Sequence, residues 1–337
     1  MSNISDTFAT PDNPSLSGAE INVISEDLLR LQRAVATRLV GKDDAIRFVL
    51  TALVGGGHIL IEDVPGVGKT TLAVSVAMAI GGSHNRIQFT SDLLPSDVLG
   101  VPIFDQDRRQ FEFKRGPIFA NIVLADEINR STPKTQSAML EAMQDGKVSM
   151  DGEVHELPTP FIVIATQNPI EQHGTYPLPE SQLDRFMMRI HVGYPERESE
   201  ARVLRAPDLH RGRVTLAPVL TTERVAEIQR AVSRVTVSDE LLMYILSIVG
   251  ATRDHDDIEL GVSTRGSLML FRAAQALALV AGRGYVVPDD IKSLVIPVLG
   301  HRIAVRSGVM GMMTHSDYEA ASALVLDRIL SDIEVPS

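Results

Sequence analysis

Residues 58–70 read HILIEDVPGVGKT, and this stretch decides the fold. An apolar, strand-like run is followed by a glycine-rich loop that ends in Gly68, Lys69 and Thr70. Glycines let backbone N–H groups converge on phosphate oxygens, the lysine brings a positive charge to the outer phosphates, and the threonine hydroxyl can hold Mg²⁺. The next residues, TLAVSVAMAI, suit a helix whose positive N-terminal end faces the phosphates. The stretch therefore predicts a phosphate-binding loop between a strand and a helix.

The loop departs from the usual pattern G-x-x-x-x-G-K-[ST] at its first position. Five residues before Gly68, where the pattern has glycine, this chain has Asp63. The alternative interpretation is a glycine turn followed by a chance Lys-Thr pair, which the strand-loop-helix setting disfavours. We therefore assign nucleotide phosphate binding to the loop and the start of the helix, namely Pro65, Gly66, Val67, Gly68, Lys69, Thr70 and Thr71.

Composition limits the class of protein. The chain has 337 residues, of which 44% are hydrophobic, enough for two packed domains. No apolar run approaches the roughly 20 residues that span a bilayer, and the first residues lack a basic start before an apolar stretch, so we expect a cytoplasmic protein with no membrane span. Cysteine is absent and the nine histidines have no paired ligand spacing, which leaves Mg²⁺ as the metal implied. A net charge of −11 argues against a broad nucleic-acid surface.

Five short apolar runs predict a parallel β-sheet covered on both faces, because their spacing leaves room for crossover helices. The runs are HILIE, RIQF, NIVLA, FIVIA and MMRIHV. Past Tyr194 the strand patterns stop and helical periodicity takes over. We place the boundary in PERESEARVL, which begins with Pro195. The predicted organisation is a mobile tail at 1–20 with order near Ser25, an α/β nucleotide-binding core at 21–196, and a helical domain at 197–337.

A second motif, IVLADEIN at 122–129, delivers two acids to the carboxyl end of a strand, where open α/β sheets bind ligands. Asp126 would hold Mg²⁺, directly or through water, and Glu127 would orient and deprotonate the water that attacks the terminal phosphate. The alternative is that these acids only precede a helix, which Ser131 or Thr132 caps and Gly146 ends. The position downstream of a phosphate loop favours the catalytic role.

Two further residues are candidates. In FIVIATQNP at 161–169, a buried strand ends in polar residues, and Asn168 could position the attacking water. A strand-ending Asn before proline is equally typical of a turn. In LPESQLDRFMMRI, Arg185 ends an amphipathic segment and could stabilise a transferring phosphoryl group from a neighbouring subunit. The alternative there is a surface ion pair with Asp184.

The order of these parts resembles the AAA+ ATPases, and three strings resemble the MoxR family over roughly residues 22–315. The strings are LIEDVPGVGKT, LADEINRSTPKTQSAMLEAMQDG and ATQNPIEQHGTYPLPESQLDRF. An aspartate at the position of Asp63 is what MoxR-type loops tend to show. The resemblance implies an α/β fold with an AAA+ P-loop NTPase core, a five-stranded parallel sheet with flanking helices, and a C-terminal all-α lid domain.

The same resemblance implies roles for individual residues. It gives Lys69 and Thr70 to Walker A, Asp126 and Glu127 to Walker B, Asn168 to sensor 1, Arg185 to the arginine finger, Arg265 to sensor 2, and Val40 and Gly41 to the adenine pocket, with Thr70 and Asp126 as the metal ligands.

Arg265, in VSTRGSLMLF, stands at the start of a predicted lid helix. The alternative interpretation is that Arg265 is a solvated arginine in the first turn of the helix. A cation at a helix N-terminus is electrostatically unfavourable without an anion nearby, so the position favours a phosphate partner.

Two insertions predict hairpins. Residues 92–117 contain the strand-like VPIFD and QFEFK around a charged turn, and resemble the helix-2 insert. Residues 147–157, KVSMDGEVHEL, place Asp151-Gly152 between alternating runs and resemble the pre-sensor-1 hairpin. In related rings such hairpins line the pore and touch the substrate. The alternative is an edge hairpin with no role.

The resemblance implies a homo-oligomeric ring, a hexamer, that uses ATP and Mg²⁺ to remodel, mature or activate client proteins, often ones with von Willebrand factor A domains. A magnesium-chelatase-like motor subunit has the nearest layout among the alternatives. A nucleic-acid-associated motor also stays open because of a small basic cluster, although no helix-turn-helix or zinc module is recognisable. The cluster consists of Arg108, Arg109, Lys114 and Arg115. A switch GTPase is disfavoured by the absence of N-K-x-D, an enhancer-type activator by the absence of GAFTGA, and an inert scaffold by Glu127 together with Arg185.

Overall fold

The computed structural model describes residues 14–64, 66–150, 152–167, 175–205, 216–306 and 315–336. Its strands are β1 (Ile59–Glu62), β2 (His84–Gln88), β3 (Gly100–Asp105), β4 (Gln110–Arg115), β5 (Ile122–Asp126), β6 (Lys147–Met150), β7 (Glu153–Glu156), β8 (Ile162–Gln167), β9 (Met188–Ile190), β10 (Ile258–Leu260) and β11 (Ala304–Val305).

The helices are α1 (Gly18–Ala36), α2 (Asp43–Gly55), α3 (Lys69–Ala79), α4 (Pro95–Leu99), α5 (Pro133–Asp145), α6 (Glu180–Leu183), α7 (Arg197–Leu204), α8 (Thr222–Ala231), α9 (Asp239–Asp254), α10 (Thr264–Val280), α11 (Pro288–Leu299) and α12 (His315–Asp332). Short 3-10 turns cover Ile128–Arg130 and Val232–Arg234.

The predicted five-stranded parallel sheet is confirmed, with strand order β2-β5-β8-β1-β9. β8 therefore lies between β1, which leads into the phosphate loop, and β5, which delivers the acids. Because the strands are parallel, the residues that follow β1, β5 and β8 meet at one edge of the sheet. This order brings the separate sequence motifs together.

The sheet is covered on both faces. Alternate residues of β1 enter different cores, since successive strand side chains point to opposite faces. Ile59 and Ile61 belong to a cluster that continues through α1 and α2 into helices α8 to α11. Leu60 belongs to a second cluster with β5, β8 and α5. The first cluster thus joins the sheet to the C-terminal helices in one continuous apolar core.

Order begins earlier than the sequence indicated. The prediction of a tail as far as residue 20, with order near Ser25, is wrong for residues 18–20, which form the first turn of α1. Ser17 caps the helix by accepting the Glu20 N–H, and the Glu20 carboxylate accepts the Ser17 N–H at 2.9 Å. This reciprocal capping box satisfies two donors that the end of a helix otherwise leaves unpaired.

Both predicted hairpins form. β3 pairs antiparallel with β4, and β6 with β7. Asp151 of the second turn lies outside the described residues. Helix α5, which follows the two acids, begins and ends at the predicted positions, after Thr132 and before Gly146, but the Thr132 side chain makes no capping hydrogen bond.

The C-terminal region is mainly helical, but its strands do not stop at Tyr194 as expected. β10 and β11 form a small antiparallel pair. They have three and two residues, too few for a strand pattern to show in the sequence. Among the described residues, no helix is long and apolar enough to cross a membrane.

Candidate functional site

The phosphate loop turns between β1 and α3. Gly66 and Gly68 have φ angles of 89° and 101°, in the region that favours glycine. A Cβ on Gly68 would also lie 2.8 Å from Leu39 Cδ1. The positive φ therefore requires glycine at the last position before the helix, and a Cβ there would also displace the Leu39 side chain. Pro65 lies outside the described residues.

An intrachain hydrogen bond holds the Lys69 side chain at the phosphate loop. Its Nζ donates to the Asp63 carbonyl oxygen at 2.7 Å. Burial lowers the pKa of Lys69, and the nearby carboxylates of Asp126, Asp63 and Glu127 act in the opposite direction. A partly desolvated ammonium at the start of α3 is a strong attractor for phosphate oxygens, because the helix N-terminus adds positive potential.

Asp63 has a structural use that glycine could not serve. Its carboxylate accepts the N–H groups of Val192 and Gly193, the latter at 3.1 Å from Oδ2. Lys42 Nζ donates to the Gly193 carbonyl oxygen at 2.8 Å. The aspartate thus ties the first residue of the loop to the chain that leaves β9.

The two acids after β5 share one hydroxyl. Thr166 Oγ1 donates to Asp126 Oδ1 at 2.6 Å and accepts the Glu127 N–H at 2.9 Å. Thr166 lies on β8 and is completely buried. Arg86 on β2 donates to the other carboxylate oxygen of Asp126, Oδ2, from Nη2 at 2.6 Å and from Nε at 3.1 Å.

Glu127 has an unusual backbone, with φ 58° and ψ 49°. This left-handed conformation costs free energy in a residue other than glycine and is typical of functional sites. Glu127 Oε2 accepts from Gln88 Nε2 at 2.8 Å and lies 3.2 Å from Arg130 Nη1. The carboxylate is three-quarters buried.

These elements enclose a cavity of about 340 Å³. It is lined by Gly66, Gly68, Lys69, Thr70, Thr71, Arg86, Asp126 and Glu127. The position of a Cβ on Gly66 has no other atom within 4 Å, so the loop backbone is open on that side. A loop of backbone donors, a lysine and a helix N-terminus fit the phosphates of a nucleotide.

The donor set also fits Mg²⁺, with one condition. Thr70 and Asp126 offer the hard oxygen ligands that Mg²⁺ prefers. Asp126 Oδ2 is engaged by Arg86, so direct coordination there requires the guanidinium to move. In the part of the chain that the structure describes, no group of three or more acidic or histidine ligands occurs. That agrees with a metal held by one carboxylate together with phosphate oxygens.

The segment expected at the adenine lies beside the loop. Leu39, next to Val40, contacts Gly68. Gly41 has φ 73°, and a Cβ there would lie 2.2 Å from Ser199 Oγ of α7. The Val40-Gly41 segment therefore sits between the phosphate loop and α7. Its role in base binding stays a prediction.

Arg185 and Asp184 do not form the ion pair considered as the alternative. Asp184 Oδ1 pairs with Arg302 Nε at 2.8 Å. Arg185 is half-buried and has no carboxylate partner among the described residues. The described part of the chain thus leaves its guanidinium without an anion. Asn168, the other candidate from this region, lies outside the described residues.

Arg265 is the second residue of α10, which Ser263 caps through the Gly266 N–H. Within the described ranges it has no ion-pair partner. It lies close enough to Arg302 to lower the pKa of that arginine. Two cations near one helix N-terminus repel each other, so the position still favours an anion.

Sequence reasoning missed Arg86, Gln88, Thr166 and Arg302. The first two alternate along β2 in the pattern polar-apolar-polar, which is a weak signal for one face of an edge strand. Thr166 was inside a quoted motif but had no visible partner. Its importance depends on β8 lying next to β5, which only the strand order reveals.

Comparison with known proteins is consistent with this geometry. The family model described as "ATPase family associated with various cellular activities (AAA)" matches residues 58–188, and an AAA lid domain matches residues 250–318. Chaperone MoxR1 of Mycobacterium tuberculosis is 37% identical over 340 residues, covering 97% of this chain and 86% of that protein. An uncharacterised Bacillus subtilis protein, YeaC, is 48% identical over 88% of this chain and 91% of its own length.

A solved structure of a candidate ATPase from Cytophaga hutchinsonii superposes with a TM-score of 0.85 at 37% identity, covering 95% of this chain and 98% of that one. A magnesium-chelatase subunit homologue from Methanocaldococcus jannaschii is more distant, at 28% identity over 68% of this chain and 60% of its own length.

Proposed function

The chain belongs to the MoxR family of AAA+ ATPases, and from that premise we propose that it hydrolyses ATP with Mg²⁺ in a cytoplasmic hexameric ring and so remodels or activates client proteins. The observation that carries the proposal is the Thr166 hydroxyl, which joins Asp126 and Glu127 at the cavity that also contains Lys69. Two acids held at fixed relative positions beside a phosphate loop are suited to water activation and metal binding.

The phosphate loop and the two acids have distinct tasks in this proposal. ATP with Mg²⁺ supplies, when bound, the phosphoryl group and the positive charge that shields it. The loop N–H groups and Lys69 hold phosphate oxygens, while Thr70 and Asp126 provide the metal-binding oxygens. Glu127 accepts a proton from water at its carboxylate, after exchanging the hydrogen bond that Gln88 donates.

Arg185 supports a shared site. A half-buried guanidinium without a carboxylate partner in the described chain is suited to stabilise charge in a neighbouring copy's site. Offering it to a neighbour makes a head-to-tail contact, which closes into a ring when the rotation closes. Ring formation thereby becomes a condition for hydrolysis.

The hairpins support a role in contacting clients. On one face of the β3-β4 hairpin, four neighbouring side chains are Pro102, Phe104, Phe111 and Phe113. Phe104 and Phe111 pack edge to face at 5.3 Å between ring centroids, and Phe111 is 72% exposed. His155 of the second hairpin stacks on Phe113 at 4.0 Å. Exposed aromatic side chains on a joined pair of hairpins suit contact with a protein client, such as a von Willebrand factor A domain protein.

The test of hydrolysis is Glu127→Gln. Because the acid acts on water and not on the nucleotide, the variant should bind ATP normally and lose nearly all turnover. The test of the shared site is Arg185→Ala mixed with Glu127→Gln, since one supplies an intact acid and the other an intact arginine. Recovery of ATPase activity in the mixture supports the shared site, and a mixture as inactive as its components contradicts it.

A further inference from the structure

One buried side chain of the lid holds the segment that carries Arg185. Arg302 follows α11, and its side chain is only 1% exposed. Nε donates to Asp184 Oδ1 at 2.8 Å, and Nη2 donates to the carbonyl oxygens of Asp184, at 3.1 Å, and of Phe186. These carbonyls belong to the residues on either side of Arg185. A single guanidinium therefore fixes the main chain both before and after the predicted finger.

The remaining guanidinium nitrogen of Arg302, Nη1, also bonds to main-chain carbonyls. Nη1 of Arg302 donates to the carbonyl oxygens of Val298, in α11, and of Met187, at 3.3 Å. With these bonds, all five N–H donors of the guanidinium have acceptors. Lysine presents three donors on one nitrogen and cannot reproduce this planar arrangement. The contact is specific to arginine.

Charge explains why Asp184 is part of the arrangement. Burial lowers the pKa of Arg302 to about 10, Asp184 opposes that effect, and the charge of Arg265 adds to it. Arg302 thus remains charged at neutral pH in a buried place, where a carboxylate partner is needed. The neighbouring His301 is neutral, because burial and the charges of Arg302 and Arg189 lower its pKa well below the ordinary value.

Arg265, the predicted sensor 2, is the residue through which a bound nucleotide would act on this arrangement. It stands at the start of α10 and is close enough to Arg302 for their charges to repel. An anion bound at Arg265 would weaken that repulsion. The hydroxyl of Ser263, the cap of the same helix, donates to the other carboxylate oxygen of Asp184, Oδ2, at 3.4 Å. The lid thus contacts the segment of Arg185 at the place where lid position would respond to nucleotide.

We infer that Arg302 is a positioning residue that sets the direction in which Arg185 is offered to the neighbouring copy and makes that direction depend on the lid of the same copy. The inference rests on the proposed function, because it requires Arg185 to act in the neighbour's site. It assigns the lid a task outside its own nucleotide site: the state of one site is passed to the next through Asp184 and Arg302.

The experiment is a subunit-mixing assay with Arg302→Lys. In rings of this variant alone, the misdirected finger should lower ATP turnover by about a hundredfold, the effect of small displacements of catalytic groups. Mixed with Glu127→Gln, the Arg302→Lys copies retain a working acid and receive a well-placed finger from the other variant. Turnover of the mixture should therefore rise well above that of either component. A mixture that stays inactive would overturn the inference, as would an Arg302→Lys variant with normal turnover.

A second variant covers the case in which Arg302→Lys does not fold. Asp184→Asn keeps the shape of the side chain and the two main-chain contacts but removes the charge that Arg302 needs. It should show the same loss and the same recovery with Glu127→Gln, and failure to recover would contradict the inference. Asp290→Asn is the matched control, because it breaks a comparable pair in the lid, with Arg283 at 2.6 Å, and should leave turnover unchanged.

The mixture of Arg185→Ala with Glu127→Gln separates the two proposals. If that reference mixture recovers activity and the Arg302→Lys and Asp184→Asn mixtures do not, the shared site stands and the positioning role falls. If the reference mixture also stays inactive, the shared site itself is wrong and the positioning role falls with it. Recovery in all mixtures supports both.

Discussion

The hydroxyl of Thr166 donates to Asp126 Oδ1 at 2.6 Å, across two neighbouring parallel strands. The same oxygen accepts the N–H of Glu127. One buried threonine therefore fixes the predicted metal-binding acid and the predicted general base relative to each other. This restraint on both acids comes from the neighbouring strand β8 and not from β5, the strand that leads into them.

Thr166→Val tests this restraint. Valine has nearly the same shape but leaves Asp126 Oδ1 and the Glu127 N–H without their partner. We expect turnover to fall about 10- to 100-fold, as for other groups that orient a catalytic ligand. Stability should fall by about 1–3 kcal/mol, the cost of unpaired buried polar groups. Steady-state ATPase assays and urea unfolding measure the two effects.

Thr252→Val is the matched control for that experiment. The Thr252 hydroxyl is also completely buried, donates to Val249 O at 2.7 Å and accepts the Val262 N–H at 3.1 Å. It should lose a similar amount of stability with little change in turnover. Equal losses of turnover in both variants would show that Thr166 acts only through stability.

Asp63→Gly restores the usual glycine of the phosphate loop and should nevertheless weaken the protein. Without the carboxylate, the N–H groups of Val192 and Gly193 lose their acceptor. Hydrogen bonds to charged groups contribute about 1.5–3 kcal/mol, so we expect a stability loss of about 2 kcal/mol and a higher KM for ATP. Asp63→Asn keeps one acceptor oxygen, so its stability and its KM for ATP should lie between those of the parent and of Asp63→Gly. A glycine variant as stable as the parent would contradict the structural role.

Arg86→Ala should tighten the apparent binding of Mg²⁺. The guanidinium occupies Asp126 Oδ2, and its side chain is 54% exposed. Because the arginine is largely in solvent, we take the pair to be worth about 1 kcal/mol, so its removal should lower the half-saturating Mg²⁺ concentration by up to about fivefold. Titrations of ATPase activity with Mg²⁺ at saturating ATP measure this value.

Arg47→Ala is the control, since it breaks an exposed pair with Asp44 on α2, and neither residue lines the cavity. A higher Mg²⁺ requirement in Arg86→Ala would instead assign Arg86 a direct part in holding the nucleotide.

His191 predicts a pH dependence of stability. Its Nδ1 lies 2.5 Å from the Glu62 carbonyl oxygen and its Nε2 lies 2.5 Å from Glu319 Oε1 on α12. Both partners are acceptors, so only the protonated imidazole can donate to both. The hydrogen bond with Glu319 raises the pKa of His191 above 6.5, against the effect of burial.

Because the folded-state pKa is raised, the stabilisation is complete below the unfolded pKa and is lost as pH rises through the folded pKa. The parent should therefore exceed His191→Gln in stability at low pH, and the difference should shrink at high pH. Urea unfolding between about pH 5.5 and 9 measures it. The same pH-dependent difference should vanish in the background of Glu319→Gln. A difference that grows with pH would contradict the assignment.

The sequence was sufficient for the sheet and for most residues that line the cavity, whose roles stay predictions. Buried strands have continuous apolar runs, and the glycine-rich loop with Lys-Thr and the acid pair each follow such a run, so β1, β5, Lys69 and Glu127 were identifiable. Arg302 was not, because Asp184, Phe186 and Met187 are more than 100 residues away, and most of its contacts there are to main-chain carbonyls. No pattern in the chain marks such contacts.

The partner of Asp184 could not be predicted from the sequence either. Adjacent Asp and Arg suggested a local ion pair, but successive residues point in different directions and the acid is paired with a distant arginine. The wrongly predicted start of α1 has a different cause, because its signal was present in the sequence. The Ser-x-x-Glu pattern of its capping box is visible at 17–20 and was outweighed by the polar composition around it.

The central claim is that hydrolysis occurs at sites completed by a neighbouring copy. Phosphate release from ATP, measured across a protein-concentration series with molecular mass recorded by light scattering in the same samples, tests it most directly. We expect activity per chain to rise together with mass as rings form. Activity per chain that is constant from monomer to assembly would contradict it, because each copy would then contain a complete site.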